Sequence, residues 1–114
     1  MNKMTLLVLT GSLFIAMAGI QPAHAAVNAA EAKALMSSNK CFRCHAPDKA
    51  KTGPSLKKIA EKHRGAADAE EKLIQQMTTG PMVKLDDGSE EEHKIIKTKD
   101  PEKLKNLAQW ILSH

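Results

Sequence analysis

Cys41-Phe42-Arg43-Cys44-His45 is the segment of this 114-residue chain whose residue types and spacing could do chemistry. Two cysteines three positions apart, with a histidine immediately after, have the spacing by which haem is attached covalently to a polypeptide. On one tight helical turn the two sulfurs can reach the two vinyl groups along one edge of a porphyrin. The following residue then projects its imidazole beneath the ring toward the iron. Cys41 and Cys44 are the chain's only cysteines, so no disulfide network competes for them. Two other chemistries use such a pair. A redox Cys-x-x-Cys wants a βαβ context, and nothing before Cys41 reads as a strand. A zinc site wants a second pair of soft ligands, whereas His63, His93 and His114 stand in no paired spacing. The residues therefore predict one haem c per chain.

The elements that would position this motif are all helical. Asn28 with Glu31 is a cap-plus-three helix start, and Ala32, Leu35 and Met36 fall on one face. That helix should run to about Asn39 and lead directly into the cysteines. Gly53-Pro54 marks a turn behind the motif. Ser55 to about His63 reads as a short helix with Leu56, Ile59 and Ala60 inward, ended by Gly65. Asp68 with Glu71 starts another, whose stripe is Leu73, Ile74 and Met77 and whose stop is Gly80. From Gly80 to Lys99 the pattern becomes a polar loop with no sustained period, containing Asp86-Asp87-Gly88 and Glu90-Glu91-Glu92. Asp100-Pro101 opens the last helix, with Leu104, Leu107, Ala108, Ile111 and Leu112 at helical spacing. The fold class this predicts is all-α, with four short helices.

Residues 1–25 read as a removable leader. Lys3 precedes an apolar run from Leu6 to Ile20, and Ala23-His24-Ala25 offers a small-x-small cleavage site. The run is short for a membrane span of about 20 residues, so export without an anchor is expected, with residues 26–114 as the single domain. Removing the leader takes away Lys3 and lowers the formal charge from +4 to +3. Acidic residues are interleaved with the lysines, and only Phe42 and Trp110 remain as aromatics. That combination excludes the basic stripe and stacking platform of a nucleic-acid binder. A domain this small is marginal in the surface it can bury, and a large apolar prosthetic group would help it fold.

With these residues in view, the chain resembles the small bacterial class I cytochromes c, monohaem proteins of the c-551/c-552 type, over nearly all of residues 26–114. The motif ends a first helix, Gly53-Pro54 follows nine residues after His45, and Leu107-Ala108-Gln109-Trp110-Ile111-Leu112 is similar to the family's last helix. The resemblance implies helices wrapped around one covalent haem, with His45 on the iron. It implies that the Pro54 carbonyl accepts a hydrogen bond from the free ring nitrogen of His45, fixing the tautomer. It also implies that Met36 and Trp110 meet where the first and last helices cross.

The sixth iron position departs from the family pattern, which places a methionine in the loop before the last helix. Pro81-Met82 is present, but Met82 lies 18 residues ahead of Asp100, whereas His93 lies 7 residues ahead, near the family's ligand position. His93 is the expected ligand, helped by Ile95 and Ile96 as apolar packing; Met82 and an open iron are the alternatives. His63 reads as exposed. The function implied is single-electron transfer in the periplasm by Fe(II)/Fe(III) cycling, with no catalytic constellation of its own. Redox protein partners are expected, with Lys40, Lys49 and Lys51 available to guide docking on acidic surfaces, and the chain is expected to be a monomer. A haem-based gas sensor, or a haem subunit of a periplasmic oxidoreductase, are the competing functions.

Overall fold

Four helices set the architecture, and three of them start on a side-chain cap. The computed structural model describes residues 26–114 together with Gly19, so the expected leader otherwise lies outside the described residues. Helix α1 (Ala29–Ser38) begins where the Asn28 side chain accepts from the Glu31 amide. Helix α2 (Leu56–His63) begins where Ser55 accepts from the Lys58 amide. Helix α4 (Pro101–Leu112) has Asp100 accepting from the Glu102 amide and proline at its first position. Each such cap satisfies a donor that the helix itself leaves free.

Helix α3 (Ala69–Thr79) differs. Asp68 sits at its start but makes no capping bond, and its carboxylate instead meets Lys72 at 3.0 Å. That lysine holds the Asp68 carboxyl below its usual range. Gly80 ends α3 in the left-handed conformation, φ 61°, where a residue with a side chain is strained.

Helix α4 is the hub, packing against α1, α2 and α3. Leu107 and Ala108 are 0% exposed at its centre, and Leu104, Trp110 and Ile111 are buried beside them. They join Ala32 and Met36 of α1, Leu56 of α2, and Leu73 and Met77 of α3 in one core. Met36 and Trp110 thus belong to the same cluster, on two helices that pack together. Two polar links add direction to this packing. Asn106 and Asn28 exchange hydrogen bonds of 2.8 and 2.9 Å, and Gln109 donates to Glu70 at 2.9 Å. His114 stands edge-on to Trp110, with ring centres 4.6 Å apart.

The segment after Gly80 is not the irregular loop that its polarity predicts. Strands β1 (Met82–Lys84) and β2 (Glu90–Glu92) pair antiparallel, with Met82 opposite Glu92 and Lys84 opposite Glu90. Asp86-Asp87-Gly88 forms the turn: the Gly88 amide donates to Leu85, and the Leu85 amide donates to Ser89. A three-residue hairpin loop needs its last residue left-handed, and Gly88 has φ 85°. The hairpin's residues are mostly exposed, so no alternation of apolar and polar residues announces it. The fold is therefore helical with one added ribbon. No helix among the described residues is long and apolar enough to cross a membrane.

Leu107→Ala removes a fully buried side chain where three helices converge. We expect it to lower the unfolding free energy by about 2–5 kcal/mol, read from denaturant titration. A loss below about 1 kcal/mol would mean that α4 is not the hub of the core.

Candidate haem-binding site

The motif is delivered by the end of α1. The chain leaves the helix through Lys40 in a left-handed conformation, φ 60°, and turns at once into a 3-10 turn at Cys41–Arg43. The amides of Cys44 and His45 both donate to the Cys41 carbonyl, at 3.1 Å each. One helical turn thus carries both thiols and the imidazole, as the five-residue spacing requires. Cys41 and Cys44 are half-buried free thiols with no bond between them. Burial pushes the Cys41 thiol above its usual pKa, with the nearby Cys44 adding to the rise and the Cys41 backbone opposing it.

The following loop is folded back onto the motif. The Gly53 amide donates to Cys44, that of Leu56 to Ala46, and the Lys51 side chain donates to the Phe42 carbonyl at 2.7 Å. His45 Nδ1 lies 2.6 Å from the Pro54 carbonyl oxygen. A carbonyl can only accept, so the ring N–H is at Nδ1, and the neutral imidazole keeps its lone pair at Nε2. Gly53 makes this close approach possible. A Cβ there would come within 3.0 Å of His45 Cε1 and 3.4 Å of its Nδ1.

His93 faces His45 from the other side. Their ring centres are 6.2 Å apart, with the planes at 48°. His93 is half-buried, and its Nδ1 is buried without a hydrogen-bond partner among the described residues. Burial lowers its pKa, and His45 pushes it the same way, while the backbone at Lys94 and Gln76 opposes them. The ring is thereby favoured as neutral imidazole, the form that binds metals. Two imidazoles on one metal ion, each at about 2.0 Å, hold their ring centres about 6 Å apart. The spacing, the Nδ1–H tautomer of His45 and the paired thiols therefore fit a haem between the two rings. No three His, Cys, Asp or Glu side chains converge among the described residues as a zinc cage would need.

The segment bearing His93 is pinned on both sides. The His93 amide donates to Pro81 at 2.9 Å, that of Ile96 to Met77 at 2.8 Å, and that of Lys97 to the Asn39 side chain at 3.1 Å. Ile95 and Ile96 do not act together as expected. Successive residues of an extended chain point opposite ways, so Ile96 is buried and Ile95 is 47% exposed. Met82 is 63% exposed on β1, and among the two candidate sixth ligands it is His93 that stands against His45. His63 is half-buried rather than exposed, bordering a shallow hollow with Ala60, Ala69 and Leu112. Gly53, Gly80 and Asn39 are marked in the sequence only as a turn, a helix stop and a helix end, and their closeness to His45, His93 and Lys97 is a property of the fold.

Comparisons with known proteins bear on the fold and on the family of the attachment motif. The family model described as Cytochrome c matches residues 29–114. Cytochrome c2 of Rhodocyclus tenuis is 37% identical over 51 residues, which are 45% of this chain and 55% of that protein. The chain thus spans about half the length of that curated relative. The crystal structure of the class 1 cytochrome MtoD from Sideroxydans lithotrophicus ES-1 superposes with a TM-score of 0.74 at 57% identity. That match covers 77% of this chain and 97% of MtoD. Nitrosomonas europaea cytochrome c552 superposes with a TM-score of 0.56 at 27% identity, covering 71% and 96%.

Gly80 and Gly88 separate backbone strain from crowding. Both are left-handed, but a Cβ at Gly80 would meet Glu92 Oε1 at 2.9 Å, Ile95 Cγ1 at 3.0 Å and the His93 carbonyl at 3.1 Å, while one at Gly88 meets nothing within 4 Å. Gly88→Ala should cost about 1 kcal/mol, and Gly80→Ala about 2–3 kcal/mol, by denaturant titration. Equal losses would show that the Glu92–Ile95 segment does not press on Gly80.

Proposed function

We propose that this chain, which belongs to the cytochrome c family, is an exported single-electron carrier whose haem iron is held between His45 and His93. Members of the family bind haem c covalently, and Cys41 and Cys44 with His45 form the attachment motif here. The fold is that of the small class I cytochromes c. The observation that carries the proposal is the 6.2 Å spacing between the His45 ring of that motif and the ring of His93.

In this reading the Cys41 and Cys44 sulfurs form the thioether bonds. His45 offers its Nε2 lone pair, and the Pro54 carbonyl keeps the proton on Nδ1 and stops the ring from turning. His93 would supply the second imidazole. When bound, haem supplies a one-electron Fe(II)/Fe(III) couple, and the protein sets its potential and access. A methionine as sixth ligand raises the potential, whereas a second imidazole leaves it lower by favouring the oxidised state. His93 in place of methionine thus suits a carrier working at the low end of the family's range. Two fixed ligands leave no open iron position for a gas, which favours electron transfer over sensing.

Residues 1–25 would serve as the export signal and residues 26–114 as the cytochrome domain, placing the protein in the periplasm. Lys40 and Lys49 are exposed beside the motif and suit brief docking on an acidic redox partner. Lys51 is exposed too, but its amino group also braces the motif through Phe42.

Two measurements test the proposal. His93→Ala should abolish the low-spin spectrum of the haem-loaded protein and open the iron to carbon monoxide, while Met82→Leu leaves the spectrum unchanged. Loss of the low-spin state in the Met82 variant instead would overturn the assignment. Electron transfer with an acidic partner should slow as salt shortens the screening length from about 30 Å to about 8 Å. An ionic-strength-independent rate would remove the docking role of the lysines.

A further inference from the structure

We propose that Asn39 is a positioning residue for the sixth ligand: its carboxamide clamps the His93-bearing strap to the end of α1, keeping the distal side of the site closed. The inference rests on the assignment of His93 as that ligand.

The strap runs from Gly80 to Asp100 and carries His93 between three attachments. The first, His93 amide to Pro81 carbonyl, closes the base of the β1–β2 ribbon. The second, Ile96 amide to Met77 carbonyl, ties the strap to α3. Both use backbone groups at each end, so they are supplied by the path of the chain. The third joins the Lys97 amide to Asn39 Oδ1 at 3.1 Å, and it alone depends on a side chain. It is also the attachment that reaches α1, bridging 58 positions of sequence.

Both ends of the Asn39 amide are used. Its Nδ2 donates to the Leu35 carbonyl at 2.9 Å and contacts Ser38 Oγ at 3.3 Å, while its Oδ1 receives Lys97. The reversed amide would set an NH2 group against the Lys97 N–H and its oxygen against the Leu35 carbonyl. The network therefore fixes the orientation. Asn39 is the capping residue of α1 and stands two positions before Cys41. One half-buried side chain thus connects the segment that presents His45 with the segment that presents His93. For His93 to withdraw, the strap must lift away from the α1 end, and the Lys97–Asn39 bond resists that movement from four residues away.

Carbon monoxide binding to the reduced, haem-loaded protein reads the opening directly, because the gas can bind only after His93 detaches. A single hydrogen bond biases such an equilibrium roughly three- to tenfold. Asn39→Ala should therefore speed carbon monoxide binding by about that factor, and should also remove hydrogen-exchange protection at the Lys97 amide. Asn39→Asp retains an oxygen for Lys97 but sets its second oxygen against the Leu35 carbonyl, so its rate should fall between those of the natural protein and Asn39→Ala. Asn106→Ala removes the α4–Asn28 pair elsewhere in the fold and controls for general loosening. It should leave the rate unchanged. The clamp is overturned if Asn39→Ala binds carbon monoxide at the unaltered rate, or if Asn106→Ala accelerates binding as much. His93→Ala, run alongside, separates the two levels. If it retains the low-spin state, the ligand assignment has failed. If it loses that state while Asn39→Ala leaves the rate unaltered, only the clamp has failed.

Discussion

An imidazole nitrogen that carries a proton cannot also present a lone pair, and in His45 that choice is made by the Pro54 carbonyl 2.6 Å away. The rest of the site follows from it. With Nδ1 committed to the loop, Nε2 is the nitrogen left to bind a metal, and the ring is held in one orientation. The bond needs a loop that comes back close to the motif. The Gly53 amide, donating to Cys44 at 2.9 Å, and the absence of a side chain at Gly53 make that return possible. The attachment turn, the folded-back loop and the facing histidine thus form one arrangement organised around a single proton.

Much of this organisation was legible in the residues, because it is local. Caps at Asn28 and Asp100 sit where a side-chain oxygen can reach an amide two or three positions on, and the structure uses both, with Ser55 added as a cap of the second helix. The apolar stripes of the helices mark the core for the same reason: burial on one face imposes a period of about 3.6 residues. The Cys41–His45 motif is legible because its chemistry demands fixed spacing. Asp68 shows the limit of such signals, since the competing Lys72 one turn on takes the carboxylate away from the capping role.

What was not legible is either exposed on both faces or made by distant pairs. The ribbon between Met82 and Glu92 buries almost nothing, so no hydropathy pattern marks it. Its one local sign is Asp87-Gly88, which stands inside a charge run that reads equally well as a solvated loop. Ile95 and Ile96 look alike in sequence, and only the path of the strap decides which of them is buried. The Asn39–Lys97 bond joins residues 58 positions apart, and neither residue type predicts the other. His93 was legible by its distance from Asp100, but its pairing with His45 is a property of the folded chain.

A ribbon of two strands has two open edges, and an open edge invites a further strand from another molecule. Here β2 consists of Glu90, Glu91 and Glu92, all exposed. A second copy adding its own β2 alongside would bring like charges together along the whole length of the strand. The same acidic stretch that hides the ribbon from a sequence reading therefore discourages end-to-end assembly of neighbouring copies through it.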